Sequence, residues 1–122
     1  MNKVTILCGD PSKIDCSIQQ FDAPFPERTH LHPKLQVEYA EIFIFNASIS
    51  NIRWNIIVTN SDHIINRLRV AKKNKEIDEL IIEFYPFESD KVITIEVDKN
   101  GTCSKYPIGF LDEWGNQLCK LI

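Results

Sequence analysis

The sequence predicts an α/β fold with the element order βαβαββ and an aromatic C-terminal tail. Three observations predict it. Ile56, Ile57 and Val58 are consecutive and β-branched, as in a strand covered on both faces. Leu35, Tyr39, Ile42 and Phe43 recur at helical spacing after Pro33. Val92, Thr94 and Glu96 alternate with Ile93, Ile95 and Val97, the pattern of a strand with one wet face.

The elements follow in order. "KVTILC" (Lys3 to Cys8) is a short strand. Gly9 to Thr29 carries Pro11, Pro24 and Pro26 and little periodicity, which predicts an irregular segment. A loop of that length is uncommon in a small domain and suggests either function or disorder. Pro33 suits the first turn of a helix, where its missing N–H is not needed, and this helix is expected to run to Ala47. Trp54 to Val58 is the next strand.

Ser61 then caps a second helix, with Ile64, Ile65, Leu68 and Ala71 on its buried stripe. Arg67, Arg69, Lys72, Lys73 and Lys75 gather toward its end. Cations suit the dipole there, so capping and solubility explain them better than nucleic-acid binding does. "DELIIEFYPF" and "KVITIEVDKNG" supply two strands, and Asp98 to Gly101 carries an Asn-Gly turn signal. The tail holds Pro107, Gly109, Phe110 and Trp114, with a short terminal helix expected from Leu111 or Asp112.

Composition bounds the function. The chain has 122 residues, 43% apolar and 25% charged, enough for one small domain. A net charge of −3 disfavours a mainly electrostatic grip on DNA or anionic membranes. No apolar run has the length of a bilayer span. The N-terminus meets Asp10, Pro11 and Lys13 too soon for a secretory leader, so a cytoplasmic protein without a membrane role is expected. Cys8, Cys16, Cys103 and Cys119 form no CxxC pair and are expected to be reduced.

"THLHPKLQ" raises the question of a metal. His30 and His32 could offer two imidazoles, but His63, Cys8, Cys16 and the acids Asp22 and Glu27 stand at no recognisable ligand spacing. A histidine-bearing turn entering a helix is the favoured reading, and a small His-based metal enzyme the least favoured. Ser61, Asp62 and His63 include triad residue types, but neighbours at a helix start point different ways. Asp112 and Glu113 fit as first-turn acids. No catalytic residue and no metal ligand is assigned.

Three ordered blocks carry a family resemblance. His30, Leu31, His32, Pro33 and Gln36 fit a "EPEIHLHPxxQ" pattern. Thr59, Ser61, His63, Ile65, Asn66, Arg67 and Leu68 fit "ETHSEHLINRL". Pro107, Gly109, Phe110, Asp112, Glu113 and Trp114 fit a "PxGFFDEW"-like run after an Asp-x-x-Gly turn. Together they resemble the C-terminal part of ABC-type AAA ATPases of the overcoming-lysogenization-defect (OLD) group, including a terminal domain of unknown function. The implied fold is a partial P-loop-ATPase-like sheet. The implied family activity is ATP hydrolysis at a dimer interface, linked in many members to phage defence with a nuclease partner. The chain divides accordingly into 1–29, outside the resemblance, an ATPase-like unit over 30–76, and the terminal segment 77–122.

The departures are informative. The only glycines are Gly9, Gly101, Gly109 and Gly115, and no GxxxxGK[ST] is present. The signature segment and a clear Walker B strand are missing; Glu27 and Asp22 are out of register as relics of its acids. Asn60 stands where the family has its switch histidine, and His63 aligns with the second, helix-borne one. Asn cannot titrate near neutral pH. The expectation is a truncated or split ATPase fragment, inactive alone, with an exposed sheet edge. ATP and magnesium would enter only if a partner supplied the P-loop. Candidate partners are such an ATPase or further copies of the chain; nucleic acid would be reached only through a complex. The alternative is an interaction module docking on a full-length ATPase.

Overall fold

The computed structural model describes residues 3–18, 32–49, 54–107, 110–111 and 120. Its elements are β1 (Lys3–Gly9), α1 (Pro11–Ile18), α2 (Pro33–Ile49), β2 (Trp54–Val58), α3 (Asp62–Lys73), β3 (Glu79–Tyr85) and β4 (Ile93–Val97). The α/β class is as the sequence predicts. Two details differ. Residues 11–18 form a helix where an irregular segment is expected, so the order is βααβαββ. α2 also runs on from Ala47 to Ile49.

The cause of α1 is local. Asp10 Oδ1 accepts the Ser12 backbone N–H at 3.0 Å and the Ser12 hydroxyl at 2.8 Å, and Ile14 N–H closes the first helical bond to Asp10 O at 3.1 Å. Pro11 therefore stands at the first helical position, where proline starts a helix instead of breaking it.

The four strands form one sheet in the order β2-β1-β3-β4. β1 pairs in parallel with β2, Lys3 opposite Trp54, and with β3, Lys3 opposite Glu79. β4 returns antiparallel to β3, with Ile82 opposite Ile95. The Asp98–Gly101 turn forms as expected: Gly101 N–H donates to Asp98 O at 3.0 Å, and Gly101 takes φ +79°. A Cβ there would lie 2.9 Å from Arg69 O, so glycine also permits the turn to sit against α3. Phe110 and Leu111 form a bend, and Lys120 is helical; the rest of the expected terminal helix, including Trp114, lies outside the described residues.

Side-chain alternation along β1 splits the core. Val4, Ile6 and Cys8 join the main cluster with Phe43 of α2, Ile64, Ile65 and Leu68 of α3, and Ile82 of β3. Leu7 faces the other way and packs with Ile14 of α1 and Tyr85, beside Ile56 and Val58. Both faces of the central strand are therefore covered, and each large side chain so buried contributes about 1.5–3 kcal/mol. Of the four apolar residues that mark α2 in the sequence, Phe43 is buried and Tyr39 packs against the core, but Leu35 and Ile42 are exposed. Ala40, Ile44 and Ala47 face the core beside Phe43.

Candidate functional site at the carboxyl ends of the strands

β1 and β2 are parallel neighbours whose following helices leave toward opposite faces, α1 on one and α3 on the other. Such a switch point opens a crevice beyond the carboxyl ends of the strands, where ligands of open α/β sheets bind. A cavity of about 450 Å³ lies there, lined by Cys8, Gly9, Pro11, Asn60, Asp62, Ile65, Phe84, Phe87, Phe110 and Leu111. Its volume is in the range of small-molecule sites.

The floor of the crevice is closed by its own hydrogen bonds. Gly9 N–H donates to Asn60 Oδ1 at 2.6 Å, and Asn60 Nδ2 donates back to Gly9 O at 3.0 Å. Asp10 N–H donates to Tyr85 O at 2.8 Å, Pro11 has no N–H, and Ser12 N–H is taken by Asp10 Oδ1. The backbone donors from Gly9 to Ser12 are thus all committed or missing. A phosphate cradle needs such donors pointing at the ligand. Here the helix start is instead filled by a carboxylate, which repels an incoming anion.

Lys13, the cation nearest this turn in sequence, is also engaged. Its Nζ donates to Pro86 O at 2.5 Å, Ser89 O at 2.8 Å and Phe87 O at 3.2 Å, with Asp10 Oδ2 at 4.0 Å. It ties α1 to the loop after β3.

The motif residues fall into two groups. Gln36 and Ser61 meet: both are buried, and the Ser61 hydroxyl donates to Gln36 Oε1 while accepting Ile64 N–H at 3.2 Å. Ser61 is thereby the N-cap of α3, as its sequence position predicts. Its own N–H donates to buried Thr59 Oγ1 at 3.0 Å. His32 and Pro33 start α2: His32 Nδ1 accepts Lys34 N–H at 3.1 Å and His32 O accepts Gln36 N–H at 2.9 Å. His63 is exposed on the first turn of α3. Asn60 faces Gly9 as described.

His30, Asp22 and Glu27 lie outside the described residues, and no group of three metal-ligating side chains occurs among those that are described. Cys8 and Cys103 are buried thiols outside any disulfide. Sequence reasoning missed Gly9, Asp10 and Lys13. Their signal was present: an apolar strand followed by Asp-Pro is an N-cap and a first helical residue.

The terminal part of the chain is where a family appears. Residues 84–121 match a family model described as "Protein of unknown function (DUF3696)". The DUF3696 match begins at Phe84 on the crevice wall and takes in β4, the Asp98–Gly101 turn and the aromatic tail. It overlaps the tail block that resembles a terminal domain of unknown function. The chain matches no curated protein and no solved structure. No helix among the described residues is long and apolar enough to cross a membrane.

Proposed function

We propose that this chain is an ATPase-like α/β fragment without catalysis of its own, a relative of the terminal part of OLD-group ABC-type ATPases, whose role is exercised through a partner. The observation that carries the reading is the closed turn from Gly9 to Ser12. A nucleotide site of this class needs phosphate donors, magnesium acids and a switch residue together. Here the donors at the switch point are used internally, Lys13 is held by three carbonyls, and the switch position is Asn60. The family side of the reading rests on the three sequence blocks; the parallel β2-β1-β3 arrangement is compatible with it, and the DUF3696 match covers only the tail block. ATP and magnesium enter only where a partner brings the P-loop, and any phage-defence role would be that of the joint assembly.

Calorimetric titration of the purified chain with ATP and magnesium tests this. The expected result is no binding heat. Stoichiometric binding would overturn the reading, because phosphate donors would then have to come from a rearranged β1–α1 turn.

A further inference from the structure

Two surfaces on one side of the molecule lack a counterpart among the described residues. The first is the outer edge of β2, which pairs only with β1 among the described residues. Its sequence, Trp54-Asn55-Ile56-Ile57-Val58, carries no charge and no proline, the usual guards of an edge. The opposite edge is guarded: β4 exposes Thr94 and Glu96, Val97 bridges to Cys103, and Glu96 and Ser104 exchange two hydrogen bonds.

The second surface is the outward stripe of α2. Leu35, Ile42, Phe45 and Ile49 are 47%, 56%, 63% and 66% exposed. Their spacing of seven, three and four places them on one seam of the a/d kind that fits another helix. They stand opposite the core-facing Ala40, Phe43 and Ala47.

Both surfaces lie together. α3 has Gly101 and Tyr106 on one flank, through Arg69, and α2 on the other, where Arg67 reaches Glu41 at 3.8 Å. The Gly101 flank is the β4 side, so α2 covers the β2 side of the sheet.

We infer that the chain forms a two-fold homodimer through this side, β2 pairing antiparallel with β2 of a second copy and the two α2 stripes packing above the joint. A two-fold axis normal to the sheet makes an edge strand meet itself antiparallel and brings like helices together on one face. The area suffices. At roughly 150–200 Å² per large side chain, the four exposures leave about 400 Å² of apolar stripe on each copy and about 800 Å² on the pair. Joined strands add to this, toward the ~1,200 Å² at which specific interfaces begin.

Sedimentation equilibrium of the full chain across a wide concentration range is the test. A monomer–dimer equilibrium is expected. Ile42→Lys combined with Phe45→Glu should raise its dissociation constant at least about 30-fold, the effect of losing a central contact. Both side chains are exposed in the monomer, so its circular dichroism and unfolding midpoint should hold. Hydrogen exchange then reads the strand. Thr59 N–H points to Leu7 O, so by alternation the Ile56 and Val58 amides face the free edge. They should gain protection as the dimer forms. A monomer at every concentration, a dimer indifferent to the double substitution, or a dimer without that protection would each overturn the inference. None of these outcomes bears on ATP binding, so the proposed function stands or falls separately.

Discussion

The Ser61 hydroxyl donates to the side-chain oxygen of Gln36 across 25 residues of chain, inside the core. The same oxygen caps α3 by accepting Ile64 N–H. One serine thus fixes where α3 starts and where α2 sits against it. Ser61→Ala leaves a buried amide and an uncapped helix, and should cost about 2–3 kcal/mol in denaturant unfolding. Gln36→Leu removes only the amide and should cost less. In the double variant the two losses should fall short of additivity, since each single change already breaks the shared bond. Additive losses would mean that the bond carries no energy.

Lys13 holds the loop after β3 by donating to three of its carbonyls. Lys13→Met keeps the stem and removes the donor. Hydrogen bonds from a charged group to partly wet carbonyls are worth about 1–2 kcal/mol together here. The predicted effect is a small drop in global stability and faster proteolysis within residues 86–89. Unchanged proteolysis would show that the loop is held by packing alone.

How much of this was legible in the sequence depends on which signal each element carries. β2 and β4 declare themselves by β-branched runs and alternation, and α3 by a serine cap with four apolar residues on one stripe. α1 is hidden because the three prolines between residues 11 and 26 read as breakers, while the first of them acts with Asp10 as a start signal. α2 was found but its faces were not, because it is apolar on two opposite sides and the spacing favours neither. Sheet order is set by pairing across the chain, so the central place of β1 had no local mark. The Gln36–Ser61 contact joined two family-like blocks, but their proximity is tertiary. The committed state of Gly9, Asp10 and Lys13 depends on Asn60, Tyr85 and residues 86–89, far off in sequence.

Gly9 leaves no room for a side chain at the crevice. Its φ is +105°, and a Cβ would fall 2.2 Å from Tyr85 O. Gly9→Ala should therefore destabilise by about 3 kcal/mol or more, from backbone strain and a clash with backbone that cannot step aside. Thermal unfolding of the variant beside Pro11→Ala, which meets neither obstacle, checks this. Equal midpoints would mean that the β1–α1 turn relaxes freely.

Asp98 makes the terminal turn sensitive to acid. Its carboxylate accepts N–H from Thr102 at 3.0 Å and Asn100 at 2.8 Å, and these bonds, Thr102 first, hold its pKa below the ordinary value of 3.8. A depressed carboxylate pKa stabilises the fold above the unfolded value and loses that effect as pH falls through the folded one. The turn should therefore stay ordered at mild acidity and loosen only below the ordinary carboxylate range. Amide exchange at Asn100 and Thr102 reads it directly. Asp98→Asn, which keeps an accepting oxygen without the charge, should flatten the pH dependence while leaving the turn in place.

Asn60 offers the sharpest check on the proposed absence of catalysis. Asn60→His restores the residue type that the resembled ATPases carry at their switch position. If the switch residue alone were missing, the variant should gain phosphate release. The geometry predicts none. The loss of Asn60 Oδ1 frees one donor, Gly9 N–H, but Asp10 N–H remains on Tyr85 O, Pro11 still lacks a proton, and the Asp10 carboxylate still fills the start of α1. A single amide cannot hold the phosphates of a nucleotide. Phosphate release at the level of the buffer blank is the expected outcome, with a loss of stability of about 1 kcal/mol for the broken Asn60–Gly9 pair. Turnover above the blank would mean that the β1–α1 turn can open, and that the chain keeps a working phosphate site.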